Sequence, residues 1–309
     1  MKITVRVKLE PSAYQADALA ATLRACNRAA NYVSEVAFES GEKRRNGLQP
    51  MVYRHVKDEF NLSAQPAVRV VKKVCDAYAT LRANIRAGNL GPKGGSRRNK
   101  AESKPVVFRE GAAQAFDDRC LSWQADQRTV SIWTTAGRLK GIRFVCSERA
   151  AKMIADQRQG ESDLVLRDGA WYLFATCELP VPLVAEPADW LGVDLGIVNI
   201  ATTSDGTVLS GRRLERYRFH SWAFAQLGAF VEYKAQRAGV PVVHVNPANT
   251  SRQCSACWHT HRQNRVDQAT FACRACGTTM HADVNGSRNI RHRAADAWKR
   301  GAVDRPSST

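Results

Sequence analysis

Four cysteines decide more about this chain than any other residues: Cys254-Ser-Ala-Cys257 and, after fifteen further residues, Cys273-Arg-Ala-Cys276. Four thiolates in two Cys-x-x-Cys knuckles are the ligand set that tetrahedral Zn²⁺ takes, each knuckle presenting two sulfurs to one side of the ion. Residues 251–282 therefore read as a zinc ribbon set inside a larger domain. Cys fills every ligand position, so no coordination site is left for a catalytic water and the Zn²⁺ is structural. A redox role for either pair is the weaker reading, because such motifs occur singly on a thioredoxin-like unit. His259, His261 and His281 lie close by, and ligand exchange with one of them is a minor alternative. The other five of the nine cysteines, Cys26, Cys75, Cys120, Cys146 and Cys177, stand alone among apolar neighbours and read as small buried hydrophobes. An odd count argues against a complete disulfide framework.

Charge narrows the partners. The 309 residues carry 46 Lys and Arg against 29 Asp and Glu, a formal net charge of +17 with a sequence pI near 9.8. At ~150 residues per domain this makes two or three domains, and the apolar content is ample for their cores. Disorder of the whole chain is excluded. No apolar run reaches the ~18 residues of a membrane helix, and residues 1–10 alternate where a secretory signal would be continuously apolar. Membrane and export readings fall away, and a cytoplasmic, nucleoid-associated location is expected. So large a basic excess is most simply matched by a polyanion, since neutralising phosphates releases counterions. Nucleic acid leads; the bland alternative is a basic surface that only confers solubility.

Periodicity divides the chain. Ile3, Val5, Val7 and Leu9 alternate with polar residues, predicting a half-buried strand that ends at Pro11. Ser12 and Gln15 make a capping box for a helix whose apolar stripe is Leu19, Leu23, Cys26, Ala30, Val33 and Ala37. A second helix is predicted from Pro50. A third carries Val71, Val74, Tyr78, Leu81 and Ile85 and stops at Gly88, with Arg69, Lys72 and Lys73 off its stripe. In residues 88–104 only Glu102 opposes Lys93, Arg97, Arg98, Lys100 and Lys104, which reads as a flexible basic linker able to track phosphates. Period-two runs at 106–108, 129–133, 142–145, 164–166 and 171–177 predict a β-barrel or sandwich, with Asp168-Gly169 as a two-residue hairpin turn. Trp123, Trp133, Trp171 and Tyr172 read as core in preference to base-stacking residues. After a Pro- and Ala-rich linker over 180–189, residues 190–197 predict a buried strand with Asp194 near its middle. Two short strands turning at Asp205-Gly206 follow. Then come a basic helix over about 212–238 ended by Gly239, a strand over 240–245, the cysteine segment, and a last helix from about Asp283.

Asp194 and Asp283 can share divalent metals for phosphodiester hydrolysis if the strand and the helix that carry them pack side by side. For Asp283 the simpler role is a helix N-cap. In combination, Gly192-Val-Asp194-Leu-Gly-Ile197, His220-Ser-Trp-Ala-Phe-Ala-Gln-Leu227, Glu232-Tyr-Lys-Ala235, Val243-His-Val-Asn-Pro247-Ala-Asn-Thr-Ser251, the four-cysteine ribbon and His281-Ala-Asp283-Val-Asn285 resemble the transposon-encoded TnpB (OrfB) proteins, which are similar to the miniature type V CRISPR effectors. The resemblance is specific across 190–292 and looser over 1–180. It implies an α+β, multidomain fold. A β-barrel (1–10 and 105–180) is interrupted by a helical lobe (11–104), and a RuvC-like α/β domain of RNase H-like fold (186–309) carries the zinc ribbon. It also implies a structured guide RNA and a double-stranded DNA target. Arg69, Lys72, Lys73, Lys93, Arg97, Arg98, Lys100, Lys104, Arg212 and Arg213 are the expected nucleic-acid contacts, with Mg²⁺ at the acids only if the nuclease site functions.

One departure from the family matters. Its active members carry three acids, the second a Glu on a strand that follows a long helical hairpin; here only residues 210–219 separate the Asp194 segment from the helix at His220. The hairpin and the Glu-bearing strand are missing. Glu215 is the sole acid in that gap, and within Arg212-Arg-Leu-Glu215-Arg-Tyr-Arg218 it reads as a solvated partner of arginines. A vacancy beside the Asp194 strand would leave backbone groups unpaired at about 1–3 kcal/mol each. The predicted repair slides 240–245 into the vacant place. The expectation is an RNA-guided DNA-binding protein whose reduced nuclease domain does not cut. The alternatives are an active guided endonuclease completed by Glu215, and a guide-independent zinc-ribbon binder or decayed transposon product.

Overall fold

A computed structural model of the chain describes residues 1–196, 198–211 and 221–301, in two compact units, Met1–Leu179 and Pro180–Thr309. In the first unit, β1 (Lys2–Glu10) buries Ile3, Val5, Val7 and Leu9 and exposes the residues between them, as their alternation requires. Six more strands join it: β2 (Gln114–Phe116), β3 (Leu121–Gln124), β4 (Thr129–Thr134), β5 (Gly137–Val145), β6 (Arg158–Arg167) and β7 (Ala170–Glu178). All neighbours are antiparallel, in the order β2-β6-β7-β1-β5-β4-β3. The two edge strands are consecutive in sequence, so the sheet curls into a nearly closed barrel. Asp168 and Gly169 both take positive φ, 51° and 74°, which is what a tight hairpin turn between β6 and β7 demands. Trp171 is buried, while Trp123, Trp133 and Tyr172 are partly covered.

Three helices interrupt the barrel between β1 and β2: α1 (Ala13–Ser40), α2 (Arg45–Glu59) and α3 (Ala64–Arg86). The Ser12–Gln15 capping box forms in both directions, and every residue of the α1 stripe is buried. α2 starts at Arg45, not at Pro50, which lies inside it. The hydrogen bond Pro50 cannot donate is outweighed by Leu48, Val52 and Val56, spaced by four and fully buried in the helical core. In α3, Val71, Val74 and Tyr78 are buried but Leu81 and Ile85 are only partly covered. The basic segment after it is more ordered than a flexible linker: Gly88, Gly91 and Gly94 turn with positive φ into a short helix, α4 (Ser96–Glu102). Its one acid, Glu102, accepts from Arg98 one turn earlier at 3.2 Å.

The run 106–108 is not a strand. Asn31 takes the place of a strand partner there, accepting the Phe108 amide at 2.7 Å and donating to the Phe108 carbonyl at 3.0 Å, and Val106 and Phe108 pack on the helical core. β2 and β3 are too short to show a period in the sequence, and a helix, α5 (Glu148–Gln157), capped by Ser147, lies between β5 and β6. Asn27 fastens the returning chain to α1. Fully buried, its amide donates to the carbonyls of Leu23, Glu110 and Ala112 at 2.8–2.9 Å, while its oxygen accepts from Lys73 at 2.6 Å. Removing it takes a donor from the Glu110 and Ala112 carbonyls and leaves Lys73 only the Ala113 carbonyl. Asn27→Ala is expected to cost about 2–3 kcal/mol, read as a lower urea midpoint at unchanged slope.

In the second unit, β8 (Val193–Asp194), β9 (Asn199–Thr203) and β10 (Val208–Ser210) form an antiparallel sheet in the order β10-β9-β8. The strand predicted over 190–197 is thus two residues long and half-buried, with Leu191 and Leu195 exposed. The Asp205-Gly206 turn forms, Asp205 accepting the Thr207 amide at 3.0 Å. Helix α6 (Ser221–Ala238) ends at Gly239, whose φ is 68°. The predicted repair does not occur: among the described residues β8 pairs with β9 alone, and 240–245 forms no strand. Pro241 lacks an amide donor, and Val240 and Val242 stay exposed along an apolar groove of about 330 Å³ shared with Val193 and Leu195. A small hairpin of β11 (Thr270–Ala272) and β12 (Thr279–His281) then leads into α7 (Ala282–Lys299). Among the described residues no helix is long and apolar enough to cross a membrane.

Candidate metal centre and acid pair

The knuckles form by backbone hydrogen bonding. The Trp258 amide donates to the Cys254 carbonyl at 2.9 Å and the Gly277 amide to that of Cys273 at 3.0 Å, with Gly277 in the left-handed region. All four cysteine sulfurs come within 4.8 Å of one another, Cys254 to Cys276 at 3.7 Å and Cys257 to Cys273 at 3.5 Å. A tetrahedron of Zn–S bonds near 2.3 Å has sulfur edges of about 3.8 Å, so the donor set and its spacing fit one Zn²⁺. The neighbouring histidines have other tasks: His259 and His261 stack on each other, and His281 caps α7. Hydrogen bonds from Thr278 pull the Cys276 thiol down to about 6. At Cys257 the His259 amide works in the same direction, but proton sharing with Cys276 and the other sulfurs overrides it and pushes the thiol up to about 12. A cation among four thiolates removes that conflict.

One face of α7 clamps the ribbon. Asn285 and Asn289, one turn apart and fully buried, each donate to the carbonyls of Thr250 and Gln253, and Asn285 accepts the Ser255 amide. Arg293, a turn further on, donates to the carbonyls of Asn246 and Ala248. No motif in the sequence assigned these side chains a clamping role. Their signal was available as two asparagines four apart in a helix, where Asn is a poor choice unless its amide is needed.

The structure brings Asp194 and Asp283 together. The N-cap of α7 is His281, which accepts the Asp283 amide at 3.2 Å, so Asp283 stands in the first helical turn and is not the cap. α7 comes close to β8 because two residues lack side chains: a Cβ at Gly286 would lie 2.9 Å from the Asp194 carboxylate, and one at Gly192 would overlap the Ser287 carbonyl. Asp283 accepts from Asn199 at 3.0 Å, and the Arg265 guanidinium is 3.9 Å from its other oxygen. Burial, then the Asp283 charge, raise the Asp194 carboxyl above its ordinary range, against the opposing pull of Arg265. A carboxyl raised on folding binds more protons folded than unfolded, so its contribution to stability falls as pH rises from the unfolded value through the folded one. Asp194→Asn is therefore expected to raise the thermal midpoint at neutral pH and to leave it nearly unchanged in acid.

The basic residues fall into three groups. Arg69 pairs with Asp117 at 3.0 Å and with Glu161, and Lys72 with Asp76 at 3.1 Å and Glu161 at 3.6 Å. Lys73 donates to Asn27 and the Ala113 carbonyl, and burial lowers its ammonium to about 8. These charges are answered within the first unit, as is that of Arg98 by Glu102. Lys93, Arg97, Lys100 and Lys104 are exposed and make no ion pair among the described residues. Arg212, Arg213 and Glu215 lie outside the described residues.

A Cas12f1-like TNB domain model matches residues 224–290. The chain is 43% identical over 70 residues to the CRISPR-associated endodeoxyribonuclease Cas12f1 of Sulfoacidibacillus thermotolerans, covering 23% of this chain and 17% of that protein. It is 37% identical over 103 residues, 31% of this chain and 26% of the relative, to InsQ of Escherichia coli (strain K12), named as an RNA-guided DNA endonuclease. To a TnpB-like protein of Methanocaldococcus jannaschii it is 33% identical over 81 residues, 26% of this chain and 28% of that one. Each match spans less than a third of the relative's own length. Joined to the four-cysteine ribbon and the paired Asp194 and Asp283, these likenesses place the chain among the relatives of the TnpB and miniature type V effector family.

Proposed function

We propose that this chain is an RNA-guided DNA-binding protein of the TnpB type, with a reduced RuvC-like domain that holds its target without cutting it. The observation that carries the reading is the acid pair. Two-metal hydrolysis needs enough carboxylate oxygens to hold both ions. Here Asp283 is already engaged by Asn199 and faced by Arg265, and no third acid joins the pair among the described residues. The two acids do not fit a pair of Mg²⁺ ions. Zn²⁺, held by Cys254, Cys257, Cys273 and Cys276, serves the fold of the ribbon.

Binding asks for other parts. A structured guide RNA and a double-stranded DNA target are the partners that the named relatives suggest, and the net charge of +17 suits both. Base pairing with the guide reads the sequence, so the protein's task is to grip phosphates. Of the basic residues expected at the interface, Lys93, Arg97, Lys100 and Lys104 are exposed and in no ion pair among the described residues, grouped on and beside α4. Reversing Arg97, Lys100 and Lys104 to Glu is expected to weaken RNA retention about tenfold or more and to flatten its salt dependence by about one unit of slope per lost contact. Binding unchanged in affinity and salt response would remove the segment from the interface.

The deciding experiment expresses the chain with its native flanking DNA, sequences the RNA that stays bound, and offers the complex a matched DNA with Mg²⁺ or Mn²⁺. Equal, cleavage-free binding by the parent and by Asp194→Ala is the expected result. Cleavage by the parent that vanishes in Asp194→Ala would overturn the loss of cutting and make Glu215 the first residue to test. Absence of any specific bound RNA would overturn guidance itself.

A further inference from the structure

The apolar stripe of α3 runs past the helical core. Tyr78 is its last buried residue, and Leu81 and Ile85, which continue the spacing, are only partly covered. With Phe38 near the end of α1 and Ala101 of α4, they wall a cavity of about 300 Å³. Three cations stand around it: Lys43 from the link between α1 and α2, Arg82 from α3 and Lys104 just beyond α4. None of the three makes an ion pair among the described residues. The cavity's one carboxylate, Glu102, is already answered by Arg98 at 3.2 Å. Tyr78 spends its hydroxyl on the Ser34 carbonyl at 3.0 Å, so it offers the cavity only its ring, with the Lys43 ammonium 5.2 Å from the ring centre. Three unanswered positive charges thus surround an apolar wall.

That combination of surfaces selects the ligand. Inorganic phosphate would leave the apolar wall empty, and a purely apolar ligand would leave the cations without a counter-charge. The volume stands at the small end of the range for ligand pockets, about 300–1,000 Å³, with no room for a lipid chain or a length of strand. A phosphodiester brings one negative charge, whereas a phosphate monoester brings nearly two at neutral pH, the better match to three cations. We propose that the cavity is a pocket for a nucleoside 5′-monophosphate unit, its base against Phe38, Leu81 and Ile85 and its phosphate held by Lys43, Arg82 and Lys104. Contact of a base with such a wall tolerates every base, and a guanidinium with two ammonium groups grips phosphate by charge-assisted hydrogen bonds. A free nucleotide and the 5′-phosphorylated end of a nucleic-acid strand present the same unit. The pocket is separate from guide binding: Lys104 also belongs to the segment given to the guide, but Lys43 and Arg82 do not.

The probe is adenosine 5′-monophosphate, titrated by calorimetry into the full zinc-loaded chain freed of nucleic acid. One saturable site is expected, with adenosine and inorganic phosphate each at least about tenfold weaker, because each meets only part of the pocket. Ala101→Leu fills the apolar wall without changing charge, and Arg82→Gln removes one cation from an exposed position. Each should weaken the mononucleotide at least about tenfold while the urea midpoint of the first unit stays at the parent's value. Arg86→Gln, one turn further along α3 and outside the cavity, removes the same charge and should leave affinity within about twofold, since solvent screens a charge that touches no ligand. A 5′-phosphorylated tetranucleotide, set beside its 5′-hydroxyl form, tells the two sources apart. A phosphorylated strand that binds more tightly than the mononucleotide, and loses that advantage in Ala101→Leu, makes the strand end the natural ligand. Tighter binding of the mononucleotide makes it the free nucleotide. No saturable site for either, affinity unchanged in a folded Ala101→Leu, or equal losses in Arg82→Gln and Arg86→Gln would each overturn the proposal. Absence of a specific bound RNA would overturn guidance and leave this pocket standing.

Discussion

Stripping zinc from the chain should unfold residues 251–282 and leave the barrel and helices of the first unit standing. The ribbon has almost nothing else to hold it. Its buried apolar cluster is Cys254, Phe271, Cys273 and Ala282, with Met280 partly covered, and two of these are themselves metal ligands. Its strands are three residues each, below what a lone hairpin needs to persist in water. Ordering this segment costs about 1–2 kcal/mol per residue in backbone entropy alone, and one small side-chain cluster does not return that. A structural Zn²⁺ supplies about 10–16 kcal/mol at neutral pH. Metal analysis should give about one zinc per chain. On chelation, hydrogen exchange should accelerate across 251–282 and at the Asn285 and Asn289 clamp while β1 and α1 keep their protection; Cys257→Ser should do the same without chelator. A metal-free chain whose ribbon amides remained protected would sink the assignment.

Legibility in the sequence followed the range of the interactions involved. The zinc ligands are local in pairs and chemically unambiguous, and the period-two residues of β1 and the stripe of α1 report burial directly. Asp168-Gly169 was readable because the backbone conformation of a two-residue turn restricts its residues. What could not be read depends on distant partners. Residues 106–108 carry a strand's pattern, yet Asn31 supplies their hydrogen bonds from α1. Pro50 looks like a helix start, yet three buried residues around it carry the helix through. Arg69 and Lys72 read as free charge on α3, yet Asp117 and Glu161, which answer them, stand some fifty to ninety residues away along the chain, and Lys73 is taken up by Asn27 and the Ala113 carbonyl. At the acid pair, the two Asp were legible and Asn199 and Arg265 were not, since neither belongs to a motif and each acts only once the chain has folded over it.

Replacing Gly192 by Ala should disrupt the second unit more than any other single methyl group added among its described residues. A Cβ there would sit 1.9 Å from the carbonyl oxygen of Ser287 and 2.7 Å from the amide nitrogen of Arg291, both main-chain atoms of α7. A flexible side chain could turn aside; helical backbone cannot, so β8 and α7 must separate by more than an ångström. Little around them gives way. Gly192 is locked to β9 through Ser204, whose hydroxyl accepts its amide at 3.1 Å and whose amide donates to its carbonyl at 2.9 Å. α7 is fixed on its other side by the Asn285 and Asn289 clamp on the ribbon. Overpacking of this kind costs about 1–3 kcal/mol and sometimes more, and contact with backbone on both partners puts Gly192→Ala at the upper end. Two controls separate the close approach from any general effect of losing a glycine. Gly286→Ala meets only the Asp194 carboxylate, at 2.9 Å, which can rotate, so it should cost less. Gly206→Ala has open space around it but a φ of 96°, so its cost should be the backbone strain alone, about 1–2 kcal/mol. The expected ranking in urea unfolding of the second unit is Gly192→Ala well below the other two, with faster exchange along the first turns of α7. A Gly192→Ala midpoint equal to that of Gly206→Ala would mean that α7 does not rest on β8, and the contact that joins Asp194 to Asp283 would fall with it.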